Sequence, residues 1–166
     1  MTPRLFDLRS TWHLPAPVEK VWGVLTSLDL RPGEPVWWPG CTVAAPLTVD
    51  PSSAHPGEQE LTEVTAHLRF RTALGYSLTV SIHPTVAAPP RTLEFEAQGD
   101  LDGEGAITLT PDSRGHMTRM DIRWTVRPTV RWMNLLVPVA APVFVAAHAH
   151  TMRKGERGLA AALTSG

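Results

Sequence analysis

The chain has 166 residues, 43% of them hydrophobic and 19% charged, with a formal net charge of −1. That is long enough for one domain, 1–166, with a sizeable core, and the near-neutral balance gives no field that would draw in nucleic acid or an anionic membrane. Cys41 is the single cysteine, which excludes an internal disulfide and any Cys-x-x-Cys motif.

The opening MTPRLFDLRSTWHL lacks the apolar core of a secretory signal, so a cytoplasmic protein is expected. Residues 5–14 alternate: Phe6, Leu8, Ser10, Trp12 and Leu14 share one face, which predicts a half-buried strand. Pro17 suits a helix start, and Val18, Val21, Trp22, Leu25 and Leu28 recur at helical spacing. RPGEPVWWPG, residues 31–40, is punctuated by Pro and Gly and reads as a turn or irregular helix. Residues 41–49 can form a second strand, and 50–58 read as a loop.

From 59 to 127 the pattern is strand-like. Thr62, Val64, Ala66, Leu68 and Phe70 share a face, as do Tyr76, Leu78, Val80 and Ile82. Leu93, Phe95 and Ala97 follow, then Leu101, Gly103, Gly105, Ile107 and Leu109, then Met120, Ile122, Trp124 and Val126. Such alternation implies antiparallel strands with one solvated face, about six of them when the strand at 41–49 is counted. Trp132 to Ala147 is nearly all apolar but too short to span a membrane. It predicts a buried helix pair broken at proline, with the main helix beginning at Pro142 and running toward Leu163; stable membrane insertion is not expected. On that helix Ala141, Val145, His148, Met152, Leu159 and Leu163 fall in one stripe, and His150, Arg153, Lys154 and Arg157 lie opposite. A curved antiparallel sheet wrapped around a long amphipathic helix would bury both apolar faces, so an α+β fold is expected.

Five stretches in order, WHLPAPVEKVWGVL (12–25), VWWPG (36–40), LGYSLTV (74–80), AQGDLDGEGAITL (97–109) and HAHTMRKGERGLAAAL (148–163), resemble the START-like superfamily and its polyketide cyclase/dehydrase-like members. The resemblance implies a helix-grip fold, six to seven strands grasping the C-terminal helix around a hydrophobic cavity. It implies binding of lipids, sterols or polyketides, with cyclisation or dehydration in some members and transport in others. Ile107 stands where the family often has tryptophan, and Ala147 and Ala149 where more polar residues often flank the histidine.

His148 and His150 are two residues apart, so on one helix they point about 200° apart and cannot share a metal. His148 faces inward, either as a core histidine or as an acid–base group; His150 faces solvent. Tyr76 either packs in the core or donates a hydrogen bond to a ligand carbonyl. The six tryptophans suit ordinary packing or the walls of a site for a flat ligand, with Trp37 and Trp38 placed to frame its mouth. The candidate site is therefore His148 and Tyr76 as catalytic groups, lined by Trp12, Trp37, Trp38, Phe70, Leu78, Phe95, Ile107, Met120, Trp124, Val145 and Met152. No metal or cofactor is expected. The acids Asp7, Glu94, Glu96 and Asp121 fall on outward faces, and Asp100, Asp102 and Glu104 read as solvated turn residues. Three readings follow for a monomer or homodimer: an enzyme acting on a small hydrophobic ligand, a non-catalytic carrier, or an interaction module with a filled core and an exposed apolar patch near Trp132 to Val139.

Overall fold

The computed structural model describes residues 5–51 and 60–165. The elements are β1 (Phe6–Leu14), α1 (Val18–Leu25), β2 (Cys41–Val49), β3 (Val64–Arg71), β4 (Ser77–Ala88), β5 (Thr92–Gly99), β6 (Leu101–Pro111), β7 (Thr118–Pro128) and α2 (Arg131–Thr164), with a single 3-10 turn at Leu61–Glu63 before β3. The seven strands form one curved antiparallel sheet in the order β1-β7-β6-β5-β4-β3-β2. From β2 onward each strand pairs with its sequence neighbour. β1 closes the far edge against β7, in register from Phe6↔Val126 to Leu14↔Thr118. The loop expected at 50–58 lies, from residue 52, outside the described residues.

Strand parity follows the apolar pattern. Trp12, Leu14, Leu78, Val80, Leu93, Phe95, Ala97, Ile107, Leu109, Met120, Ile122 and Val126 are all buried. Their outward neighbours pair with one another instead: Arg123 of β7 with Asp7 of β1 at 3.3 Å, and Arg119 with Asp121 at 3.0 Å within β7. Glu94 and Glu96 are exposed, as their parity predicts. Thr118, an inward polar position, is fully enclosed and donates to the Ala16 carbonyl at 2.7 Å, which ties β7 to the entry of α1.

The apolar face of the sheet is covered by α2. Leu159 and Leu163 seat its C-terminal half against Val18 and Val21 of α1 and against Leu14. Two polar bonds pin the same half: Glu156 Oε1 accepts from the His13 N–H at 3.0 Å, and Lys20 Nζ donates to the Leu163 carbonyl at 2.7 Å.

Here the structure corrects the sequence reading. There is no break at proline and no helix start at Pro142; α2 is one helix of 34 residues with Pro138 and Pro142 inside it. Each proline removes an N–H donor and frees the carbonyl four residues earlier. Their spacing of four puts both defects on one stripe, and both prolines are exposed, so the solvent side of the helix carries them. That stripe also exposes Leu135 (74%) and Val139 (86%), so the apolar segment is not buried as a whole.

The Gly-rich hairpin departs from expectation as well. Gly99 has φ +123° and leads directly through Asp100 into β6. Asp100 Oδ2 accepts from the Thr79 N–H at 2.8 Å and Asp102 Oδ1 from the Gly99 N–H at 3.1 Å. Asp100 thus fastens the turn to β4, and Asp102 braces the turn from within by holding the end of β5. Gly103 packs where an added Cβ would sit 2.0 Å from the Thr125 carbonyl oxygen, so β6 and β7 approach there more closely than any side chain allows.

Candidate functional site: two chambers under the long helix

Between the sheet and α2 lie two chambers. The first, about 150 Å³, is bounded by β1, the β3–β4 turn, β4, β7 and the middle of α2. A void of that size holds roughly one benzene ring. The second, about 530 Å³, runs under α1, the double-tryptophan loop and strands β2 to β7. It falls within the range of roughly 300–1,000 Å³ usual for small-molecule sites. Trp38, Phe70, Trp124 and Met152 line both, so the chambers share a wall.

Of the expected site residues, Tyr76, Leu78, Val145 and His148 line the first chamber. Trp37, Phe95, Ile107 and Met120 line the second. Trp12 lines neither, and this corrects its assignment as a ligand wall. It is only 2% exposed, meets the edges of Trp37 (6.4 Å) and Trp38 (5.5 Å), and is capped by Gly155 of α2. Gly155 allows α2 to approach the ring edges of both Trp38 and Trp12, and with the two loop tryptophans on its other side Trp12 becomes core. Trp12 therefore holds the wall from behind. In front of it Trp37 and Trp38 stack at 5.4 Å, and Trp38 meets Phe70 edge-on at 5.6 Å.

His148 and His150 separate as helix geometry requires: His148 is half-buried in the first chamber and His150 is exposed. The ring of His148 has no hydrogen bond among the described residues. It is thus not a core histidine tied to a backbone carbonyl; its nitrogens are available to whatever enters. Burial holds the imidazole below its ordinary value, so it is neutral near pH 7. Tyr76 sits in the turn just before β4 rather than in the strand, and its ring rests edge-on against Trp132 at 5.0 Å. Burial pushes its phenol up, more than a bond from Thr72 pulls it down, so the hydroxyl stays a donor. Cys41 lines the second chamber, where burial pushes its thiol up to about 12; it is an inert apolar group there.

The lowered value of His148 has a consequence for stability. The unfolded chain takes up a proton near the ordinary histidine value of 6.5, while the native imidazole resists it to a lower pH. Stability attributable to this residue is present above that value and is lost as pH falls through the folded value, at no more than about 1.4 kcal/mol per pH unit. His148→Leu should flatten this limb of the unfolding free energy between pH 7 and 5. Denaturant titrations at stepped pH check it; an unchanged slope would mean that the imidazole is hydrated.

Several wall residues were missed by the sequence reading. Phe144 and Thr151 lie four residues before and three after His148, and both line the first chamber, as does Met133. The helical wheel contained the first two. Val24 to Leu30 also line the second chamber; the sequence pattern carried Leu25 and Leu28 on a helix face, but α1 ends at Leu25 and the chain beyond it follows no period. Among the described residues no group of three or more His, Cys, Asp or Glu side chains is placed to hold a metal ion, and no helix is long and apolar enough to cross a membrane. The apolar patch expected near Trp132 to Val139 is present, but the filled core that the interaction-module reading required is not.

Residues 6–164 match the family model described as polyketide cyclase/dehydrase and lipid transport. The chain belongs to this family. A search of curated proteins finds no match. Among solved structures, the family member is similar to the Zhui aromatase/cyclase from Streptomyces sp. R1128, with TM-score 0.67, 12% identity, and coverage of 96% of this chain and 94% of that one. It is similar also to a START superfamily protein from Mycobacterium smegmatis, with TM-score 0.65, 14% identity, and coverage of 96% and 97%. A conserved protein from Geobacillus kaustophilus gives TM-score 0.62 at 14% identity, over 93% and 95%. At these identities the likeness shows the START-like helix-grip fold, and function has to be argued from the chambers themselves.

Proposed function

We propose that this polyketide cyclase/dehydrase family protein binds a small apolar molecule with aromatic character in the chambers beneath α2, and that His148 and Tyr76 act on a polar end of it. The observation that carries the reading is an apolar enclosure in which a neutral, unbonded imidazole and a protonated phenol line the same small chamber. Together they suit cyclisation or dehydration, the chemistry in the family's description. His148 takes a proton from carbon next to a carbonyl, and the Tyr76 hydroxyl stabilises the enolate oxygen. The imidazolium then returns its proton to the leaving hydroxyl, which departs as water. Shape supplies the rest, since a folded chain held in place needs only one proton carrier.

A carrier without chemistry is the second reading. It is favoured by the sheet wall of the large chamber, where Leu68, Leu93, Phe95, Ile107 and Ile122 are all apolar and the lining carboxylate, Asp29, stands exposed on the chain after α1. Native mass spectrometry of freshly purified protein, followed by organic extraction, tests the common core of both: a discrete apolar molecule should be recovered. Prolonged incubation then separates them. An enzyme returns that molecule altered, and His148→Leu or Tyr76→Phe abolishes the change. A carrier returns it intact, and His148→Leu binds it equally well or more tightly. A protein that binds no apolar compound at all would overturn the reading.

A further inference from the structure

The outer face of α2 changes character along its length. In the N-terminal half it is apolar: Trp132, Leu135, Leu136, Val139 and Val143 are 42% to 86% exposed. Farther along, the same face is cationic, with Arg153 and Arg157 exposed and Lys154 half-buried beside them. At about 100° per residue, all of these side chains fall within about 100° of arc, so they form one stripe. Arg131 stands exposed at the other end of the apolar run. None of these cations has an ion pair among the described residues. The single acid of the helix, Glu156, is tied to the His13 N–H. The overall charge of −1 thus conceals a helix with four Lys or Arg against one Glu. Exposed apolar side chains are ordinary when scattered; a continuous stripe of them marks a contact surface.

We propose that this stripe docks reversibly on a bilayer surface containing anionic lipid. The apolar half of α2 sits at the headgroup–acyl boundary, and Arg153, Lys154 and Arg157 lie among the anionic headgroups. A second copy of the chain is the other natural partner for an apolar helix face, but it answers only half of the stripe, since pairing two apolar halves leaves the cations unmatched. The prolines set the depth. Pro138 and Pro142 free the carbonyls of Asn134 and Pro138, which water reaches among headgroups but not in hydrocarbon, so α2 lies on the membrane and does not cross it. Docking also brings the smaller chamber to the lipid. Val145 is exposed and lines that chamber, and Trp132 meets its Tyr76 edge-on. An apolar ligand then passes between bilayer and chamber with little exposure to water. The docking face goes beyond the cavity reading and does not depend on it.

Co-sedimentation of the full chain with vesicles of phosphatidylcholine, alone or mixed in equal parts with phosphatidylglycerol, tests it. The protein should bind the mixed vesicles more tightly, and raising the salt should weaken that binding. Each cation removed should cost roughly fivefold, so Arg153→Gln with Arg157→Gln should weaken binding about 25-fold. Leu135→Gln with Val139→Gln should reduce it to the level of neutral vesicles or below. These four side chains are exposed and line neither chamber, so both double variants keep the fold, which circular dichroism checks, and keep any uptake of lipid into the chambers. Vesicle binding that either double variant leaves unchanged would overturn the docking face and assign the effect to lipid held in the chambers. Absence of vesicle binding would overturn it too. If sedimentation velocity then shows a dimer that Leu135→Gln with Val139→Gln dissociates, the face belongs to a second copy of the chain.

Discussion

Trp12→Ala is expected to lower the unfolding free energy by about 3–5 kcal/mol, the cost usual for removing a large enclosed ring. The side chain is 2% exposed and sits where three elements meet: β1 carries it, the Trp37–Trp38 loop abuts its edges, and Gly155 of α2 covers it. None of these can collapse into the space readily, because each is held elsewhere. β1 is paired to β7 along its full length, and α2 is fixed by Leu159 and Leu163. For a domain whose total stability is on the order of 5–15 kcal/mol, that is a large fraction. Urea or guanidinium unfolding with a fixed m-value checks it. A loss under about 1 kcal/mol would mean that Trp12 borders an open space, as its parity alone had implied, and the wall of the chambers would need redrawing.

Gly158→Ala should destabilise the protein by about 1–3 kcal/mol, against the direction of helix propensity. Alanine in a helix interior gains about 1 kcal/mol over glycine. At position 158, however, an added Cβ would lie 2.3 Å from the Trp37 carbonyl oxygen and 2.4 Å from Pro39 Cδ. A carbonyl oxygen and a proline ring cannot rotate away, so α2 or the double-tryptophan loop must move, and overpacking of this kind costs about 1–3 kcal/mol. Displacing that loop would also loosen Trp38 from the shared wall. Gly23 in α1 is the control, since nothing lies within 4 Å of its added Cβ. Gly23→Ala should stabilise by about 0.5–1 kcal/mol through propensity and the unfolded state alone. Thermal midpoints of the two variants should move in opposite directions. Movement of both upward would show that the 37–39 loop yields freely.

Much of this protein was legible in its sequence because strand and helix periods are local properties. The alternation of Phe6 to Leu14, Leu93 to Ala97 and Met120 to Val126 determined which faces are buried, and 41–49 is β2 with the bounds its pattern predicted. Helix geometry alone placed His148 inward and His150 outward and excluded a metal shared between them. The five motifs in order pointed to the family to which residues 6–164 belong.

Other features were decided by contacts between distant segments. Trp12 and Trp124 both lie on inward strand faces, yet one is core and the other cavity wall, because Trp37, Trp38 and Gly155 close around the first and the second borders open space. Pro138 and Pro142 looked like helix breakers, and only the exposure of their common stripe allows α2 to continue through them. The unpaired indoles of Trp38 and Trp124 belong to this second kind as well. Sequence supplies the donors; only the packing of a loop, two strands and a helix against them leaves them without a partner.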